Sequence, residues 1–369
     1  MLEVKTVTAA DQMDQKVFGP LADLGHEQVV FCSDNELGLK AIIGIHNTTL
    51  GPALGGTRMW TYASDLHALN DVLRLSRGMS FKAAISGLNL GGGKAVIIGD
   101  PRGGLKNEAF MRRFGMFVEN LNGKYITAED VGTNTRDMEY IKMSTDHVTG
   151  IPMSMGGSGD PSPVTAYGTY LGMKASLKKT TGSDSLKGKK VVVQGTGNVG
   201  YYLCELLKKD GAVIYGYDIY EDKLKAVVDK FGVIPISAEE VYTFDCDIFS
   251  PNALGAILNE TTIPQLRCSI VAGGANNQLK DEVVDGQAIK ARGILWAPDF
   301  LINAGGLINV YTELEGYDRD RAMARAETIY DTCLRCYAYA EQHDITTSKA
   351  SIALAQQRID AMARLSHFI

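Results

Sequence analysis

The run Lys189 to Gln194 (KKVVVQ) leads directly into Gly195-Thr196-Gly197-Asn198-Val199-Gly200, and the last glycine opens onto Tyr201 to Lys209, a stretch with helical spacing. A second apolar run, Ala212 to Tyr217, follows and ends at Asp218, eighteen residues past Gly200. Strand, glycine turn, helix and strand in this order describe a parallel βαβ unit, which constrains this half of the chain to a doubly wound α/β sheet. The glycines permit the tight turn and close backbone approach, and a helix N-terminus receives a pyrophosphate. An acid at the end of the second strand accepts both ribose hydroxyls of an adenine nucleotide and repels a 2′-phosphate. The pattern therefore points to NAD over NADP, the alternative being glycines that serve packing alone.

Shorter strand-loop units come next. Asp247 to Ser250 precedes Pro251-Asn252, Ser269 to Ala272 precedes GGANNQ, and Ile294 to Trp296 precedes APDFLINAGG. Loops rich in Gly, Asn and Pro belong at the ligand-facing C-terminal edge of such a sheet. Asn276, Asn277 and Asn303 can hydrogen-bond a carboxamide or carboxylate there, or simply form turns. From about Asp318 the pattern is helical to the end, suited to packing back on the first domain or to subunit contacts.

At 369 residues the chain exceeds what one core organises, so two domains are expected. In the first, His26 to Phe31 and Lys40 to Asn47 read as neighbouring strands joined by a turn at Asp34-Asn35-Glu36. Asp65 to Gly78 has a helical apolar stripe, Ala95 to Ile98 is a short buried strand, Asn107 to Asn122 an amphipathic helix, and Lys124 to Ala128 a strand ending at Glu129-Asp130. Met155 to Pro163 (MGGSGDPSP) has linker composition, and Ser162 followed by Pro163 reads as a helix cap and first helical position.

The stretch Arg77 to Pro101, RGMSFKAAISGLNLGGGKAVIIGDP, puts Lys82 and Lys94 in a nearly uncharged context. Lys94 follows three glycines and precedes an apolar strand. A lysine buried there loses hydration, which pulls its pKa toward a range where it can act as a base. Lys82 would clamp an anion or add like-charge repulsion. The alternative is a glycine-rich turn whose lysine head reaches water.

Composition excludes several classes. A net charge of −6 without a basic cluster gives no electrostatic case for nucleic acid. No apolar stretch is long enough to cross a bilayer, and MLEVKTVTAADQM lacks a secretory pattern. Six dispersed cysteines fit reduced thiols in a cytoplasmic chain. Cys333 and Cys336 form a CxxC on a helical pattern and read as two small residues on one face, so no metal is expected. His26, His46, His67, His147, His343 and His367 show no ligand or triad spacing.

Taken together, GPALGGTRM (51–59), the 77–101 stretch, ITAEDVGTN (126–134), GGSGDPSPVTAYG (156–168), the glycine turn, AGGANNQL (272–279) and APDFLINAGGLINVYTELEGY (297–317) resemble the glutamate/leucine/phenylalanine/valine dehydrogenases nearly end to end. The resemblance implies an N-terminal α/β substrate and oligomerisation domain (1–149, rejoined by C-terminal helices about 346–369) and a Rossmann-type NAD-binding domain (150–345), with a cleft between them that closes to expel water. It implies oxidation of an L-amino acid by NAD and water to a 2-oxo acid, NADH and ammonium. It also implies a homo-oligomer, commonly an octamer in leucine-type members.

By the same resemblance Lys94 acts on water and polarises the substrate oxygen, Asp130 moves protons on and off the amine, and Lys82 pairs with the substrate carboxylate. A carboxylate suits that proton work if its surroundings hold its pKa near the working pH. Leu54, Gly55, Gly56, Met79, Ala128, Asn277, Leu307 and Val310 would line the substrate side. Thr165, Asn252, Ala275, Asn277 and Asn303 would join Gly195, Thr196, Gly197, Asn198, Val199, Gly200 and Asp218 around the cofactor. Glutamate-specific relatives carry a lysine and a serine where Leu54 and Val310 stand, and an apolar pocket rejects an unpaired carboxylate at a cost of several kcal/mol. Ala128 resembles leucine-type members, whereas Leu307 resembles phenylalanine-type ones or narrows the pocket toward valine. Leucine is the expected substrate, with valine and isoleucine accepted and a phenylalanine- or valine-type enzyme as the alternative. A non-catalytic NAD-binding assembly would have lost Lys94, Lys82 or Asp130, and a hydroxy-acid dehydrogenase would want a His–acid pair and an Arg. Neither pattern is present.

Overall fold

The computed structural model describes residues 17–365, so the N-terminal segment read above for a secretory pattern and His367 lie outside the described residues. The chain divides into two compact units, the first running to Ala84 and from Asn89 to Gly159, the second comprising Ile85–Leu88 and Asp160–Arg364.

The first unit contains α1 (Phe18–Leu24), β1 (Gln28–Asp34), β2 (Leu39–Asn47), β3 (Ala53–Trp60), α2 (Asp65–Ile85, whose last residue belongs to the second unit), β4 (Gly91–Ile98), α3 (Glu108–Glu119), β5 (Tyr125–Glu129) and α4 (Thr135–Lys142). The sheet order is β1-β2-β4-β3-β5, with β1, β2 and β4 antiparallel in turn and β3 parallel to both β4 and β5. Alternation along β4 sends Ala95 and Ile97 into a core with Met59, Phe110, Phe114 and Met138, while Val96 packs on Leu69, Val72 and Leu73 of α2. Asp34 makes the β1–β2 turn by accepting from the amides of Glu36 and Leu37, each at 3.1 Å. Asn107 caps α3, and Asn134 with Asp137 forms a capping box on α4.

Two differences from the sequence reading matter here. The α2 helix does not stop at Gly78 but continues to Ile85, so Met79 and Lys82 are helical. One exposed glycine costs a helix about 1 kcal/mol, and burial of Phe81, Ala83 and Ala84 beyond it holds the extra turns. Strand β3 escaped recognition because Gly55-Gly56 interrupts its alternating pattern, yet it is the central parallel strand between β4 and β5.

The second unit contains α5 (Ser162–Thr181), β6 (Lys190–Gln194), α6 (Asn198–Lys209), β7 (Val213–Tyr217), α7 (Glu221–Phe231), β8 (Ile234–Pro235), β9 (Ile248–Pro251), β10 (Ile270–Val271), α8 (Val284–Ala291), β11 (Leu295–Trp296), α9 (Asp299–Ile302), α10 (Gly305–Glu313), α11 (Arg319–Gln342) and α12 (Thr347–Ala363). Its six strands run parallel in the order β11-β10-β9-β6-β7-β8. Counted from β6 this is the 3-2-1-4-5-6 order of a dinucleotide-binding sheet, with the reversal of direction between β6 and β9.

The expected cap is displaced by one residue. Ser162 is already helical, Pro161 occupies the N-cap, and the amide of Ser162 donates to Asp160 Oδ1 at 2.9 Å. The C-terminal helix departs from the expectation that it rejoins the first domain: α12 groups with the second unit. Its first residue explains why, since Thr347 Oγ1 donates to the carbonyl of Trp296 on β11 at 2.8 Å, and Cys336 Sγ on α11 lies 3.5 Å from the Thr347 carbonyl.

Candidate active site

Lys94 lies mid-strand on β4, opposite Gly44 of β2, and its side chain is almost wholly buried. Its Nζ is 2.9 Å from Asp130 Oδ2, on the loop that follows β5. A buried ammonium is tolerable only with such a partner. Alternation brings Leu54, Gly56 and Arg58 of β3, Gly92 and Lys94 of β4, and Ala128 of β5 to one face. The register sets Leu54 against Gly92 and Ile126, and Gly56 against Ala128. The structure thus gathers Lys94, Asp130, Leu54, Gly56 and Ala128 from three strands.

The sequence reading passed over Arg58. Its Nε reaches Asp130 Oδ2 at 3.1 Å and its Nη1 reaches Asp71 Oδ2 on α2 at 2.9 Å. Asp71 also accepts from Tyr62 Oη at 2.8 Å and pairs with Arg74 at 3.1 Å. Burial alone would raise the Asp130 carboxyl, but the positive charges of Lys94 and Arg58 outweigh it and hold the group below its ordinary value. Asp130 is therefore held as an ionised carboxylate in this arrangement, not a group poised near neutrality. Its loop is pinned from behind: the Asp130 amide donates to Thr133 Oγ1 at 2.9 Å, and Lys106 Nζ donates to the Gly132 carbonyl at 3.0 Å while pairing with Asp137 at 2.8 Å.

The glycines beside Lys94 serve packing. A Cβ on Gly92 would stand 2.2 Å from the Ser80 amide nitrogen, and one on Gly93 would stand 2.6 Å from the Tyr125 ring. Added at Gly55 it would meet the Gly93 carbonyl at 1.8 Å, and at Gly56 the Glu129 carbonyl at 2.3 Å. The protein itself fills the space the absent side chains leave, so Gly55 and Gly56 let strands and helix close up around the lysine. Met79 on α2 borders Gly55, and Lys82 is half-buried in the last turn of the same helix.

Two histidines that seemed dispersed meet in this unit. The rings of His26 and His46 are 4.9 Å apart, edge to face. Nε2 of His26 is 2.8 Å from Ser76 Oγ, and Nδ1 of His46 is 2.7 Å from Ser80 Oγ. Burial, with the neighbouring His26 adding to it, pulls His46 down to about 4, so the ring is neutral and supports α2.

In the second unit the glycine turn lies between β6 and α6. Gly195 has φ of +90°, and a Cβ on Gly200 would stand 2.1 Å from the Gly195 carbonyl, so both are demanded by the protein's own packing. Gly197, at the N-cap of α6, is different: a Cβ there meets nothing within 4 Å. Its backbone is left open at a helix N-terminus, the cradle a pyrophosphate needs. Asn198 and Val199 form the first turn of α6. Asp218 ends β7 and accepts from the Thr196 amide at 2.7 Å and the Thr196 hydroxyl at 3.2 Å, which orders the turn it faces.

The neighbouring loops interlock at the same strand ends. Asn252 Oδ1 accepts from the Gly274 amide at 2.8 Å, and Asn303 Nδ2 donates to Asn276 Oδ1 at 2.7 Å. Ala275 is buried beside them, whereas Asn277 is exposed with φ of +52°. Gln278, unnoticed in the sequence, is fully buried and fastens the loop through the carbonyls of Gly273 and Ala275 and the indole of Trp296. Thr165 on α5 donates to the Pro161 carbonyl, and on α10 Leu307 is buried and Val310 half-buried.

A mixed-sheet unit in which buried Lys94 meets half-buried Asp130, and a second unit with a dinucleotide-type sheet, fit an oxidoreductase of the two-domain α/β class. The chain belongs to the glutamate/leucine/phenylalanine/valine dehydrogenase family and is an amino-acid dehydrogenase: the family's dimerisation-domain model matches residues 26–147, and its dehydrogenase model matches 156–232 and 217–365. The leucine dehydrogenase of Geobacillus stearothermophilus is 54% identical over 95% of both chains. That of Bacillus cereus is 52% identical, also over 95% of each. Among solved structures, L-tryptophan dehydrogenase from Nostoc punctiforme has a TM-score of 0.85 at 44% identity, covering 95% of this chain and all of that one.

Proposed function

We propose that this dehydrogenase acts on L-leucine and related branched-chain amino acids, with NAD as oxidant. One observation carries the reading: the pair of buried Lys94 with half-buried Asp130 stands in a chain 54% identical, over 95% of its length, to a leucine dehydrogenase. NAD, held at the glycine turn and Asp218, would supply the hydride acceptor for the substrate α-carbon. Ionised Asp130 takes a proton from the substrate ammonium, and Lys94, released from that pair, turns to the oxygen added by water. Lys82 holds the α-carboxylate. Leu54 and Ala128 offer an apolar wall on the Lys94 face, unsuited to a second carboxylate, while Asn277, Leu307 and Val310 keep the substrate-side roles of the family pattern. Thr165, Asn252, Ala275 and Asn303 complete the cofactor set around the glycine turn and Asp218. Assembly is as a homo-oligomer, an octamer by family resemblance.

Leu307 resembles phenylalanine-type members or narrows the pocket toward valine, so the test compares substrates. NADH oxidation is followed with 4-methyl-2-oxopentanoate, phenylpyruvate and 2-oxoglutarate, each with and without ammonium, and repeated with NADPH. The branched oxo acid should be fastest, only with ammonium and only with NADH. Equal rates without ammonium would sink the amino-acid reading, and a preference for phenylpyruvate would sink the leucine assignment.

A further inference from the structure

Cys246 and Cys268 are 22 residues apart in sequence and meet across two parallel strands. The register of β9 on β10 pairs Ile248 with Ile270, and the bridge before it pairs Asp245 with Arg267, so Cys246 stands opposite Cys268. Backbone hydrogen bonds close both sides of the pair, from the Cys246 amide to the Arg267 carbonyl at 3.3 Å and from the Ile270 amide to the Asp247 carbonyl at 3.2 Å. Opposed positions in neighbouring strands are roughly 5 Å apart and point to the same face, within the span a disulfide bridges.

The two thiols face one another closely enough for each to perturb the other's ionisation. Interaction with Cys246 pulls the Cys268 thiol down against burial, and the Arg292 guanidinium adds to the pull. The same interaction, with burial, pushes Cys246 up. Arg292 is fixed by the carbonyls of Ile263 and Leu266. Both cysteines are half-buried beside exposed Asp245, Arg267 and Ser269, whereas Cys32, Cys204, Cys333 and Cys336 are buried, with burial pushing each thiol up. A lowered thiol, a partner directly opposite and access to water are what a reactive dithiol requires.

We propose that Cys246 and Cys268 form a reversible redox site, oxidised by a peroxide to an intramolecular disulfide. The Cys268 thiolate attacks one peroxide oxygen, the O–O bond breaks, and the departing hydroxide takes up the proton that Cys268 released on ionising and leaves as water. The resulting sulfenic acid is attacked by the Cys246 sulfur; the S–O bond breaks, the S–S bond forms, and the hydroxyl leaves with the Cys246 proton as a second water. One hydrogen peroxide is reduced and two thiols are oxidised. The link would fasten the amino ends of β9 and β10, whose opposite ends carry Asn252 and Gly274 about 20 Å away at ~3.3 Å per residue.

The test treats the native protein with hydrogen peroxide, blocks remaining thiols with N-ethylmaleimide and maps the peptides. A Cys246–Cys268 cross-link, the loss of two thiols and reversal by dithiothreitol are expected. Cys246→Ser, or Cys246→Ala if the serine variant does not fold, should stop at a sulfenic acid on Cys268 that dimedone traps. A native protein that reaches sulfinic acid with no cross-link, or that loses two thiols equally in the Cys246 variant, overturns the proposal.

Discussion

Arg58 and Lys94 converge on one oxygen atom, Asp130 Oδ2, at 3.1 and 2.9 Å. Lys94 on β4 is the group the sequence singled out, but Arg58 on β3 is what makes the geometry two-sided. Asp71 on α2 restrains the far end of the guanidinium. If the substrate ammonium displaces Lys94 from the carboxylate, Arg58 still keeps Asp130 ionised and in place, so the lysine becomes free without leaving an unpaired buried charge.

Replacing Arg58 with alanine should therefore raise the Asp130 pKa. With the carboxylate acting as the proposed base, the acid limb of the kcat/KM profile should move to higher pH, and the rate should fall roughly 10- to 100-fold, equivalent to ~1.4 kcal/mol per factor of ten. Arg58→Lys keeps the charge but not the fork that reaches two carboxylates, and should recover only part of the loss. An acid limb identical to the wild-type one would show that Arg58 does not act through Asp130.

Lys94→Ala removes the group proposed to act on water. General acid–base contributions run to about 10²–10⁴-fold, and a loss of at least that size in kcat is expected. NADH binding should persist, because the glycine turn and Asp218 belong to the other unit. Fluorescence titration with NADH separates the two effects: retained turnover refutes the catalytic role, and lost binding shows the substitution has damaged more than the site.

The sequence announced the second unit well, because strand, glycine turn, helix and acid are contiguous and each constrains the next. Lys94 stood out from its nearly uncharged, glycine-led context, whereas Asp130 was legible only through family resemblance; no local pattern says that residues 94 and 130 touch. Arg58 was hidden because its partners, Asp71 and Asp130, lie on other elements. The sequence shows three glycines before Lys94 but not why they are there; only the positions of Ser80 and Tyr125 reveal that Gly92 and Gly93 let the protein close up around the lysine. His26 and His46 pair through the β1–β2 and α2 packing, a contact that sequence spacing does not encode. Extension of α2 past Gly78 depended on tertiary burial, which overrides a local breaker.

The two kinds of glycine in the turn make opposite predictions. A Cβ at Gly197 meets nothing and the backbone there has φ of −63°, so Gly197→Ala should leave the thermal midpoint unchanged while weakening NADH several-fold or more. Gly200→Ala collides with the Gly195 carbonyl and should destabilise the unit by about 1–3 kcal/mol, as overpacking does. Measuring NADH affinity and thermal midpoint on both variants decides it. Unaltered affinity in Gly197→Ala would remove the backbone of that residue from the cofactor cradle.

Acid stability should report on His46. Its folded-state pKa is depressed to about 4 by burial and by the neighbouring His26, from an ordinary value near 6.5. Folding therefore favours the neutral ring: the contribution is fully present above about pH 6.5, and it is lost as the pH falls toward 4, because the unfolded chain binds the proton first. A shift of that size corresponds to about 3 kcal/mol, at ~1.4 kcal/mol per unit. His46→Gln keeps a hydrogen-bonding side chain toward Ser80 but cannot titrate. Urea unfolding at pH 7.5 and 4.5 should show the wild type losing more stability than the variant between the two, by an amount of that order. An equal loss in both proteins would mean that the ring charges inside the fold, its Nδ1 then donating to Ser80 Oγ across the same 2.7 Å contact.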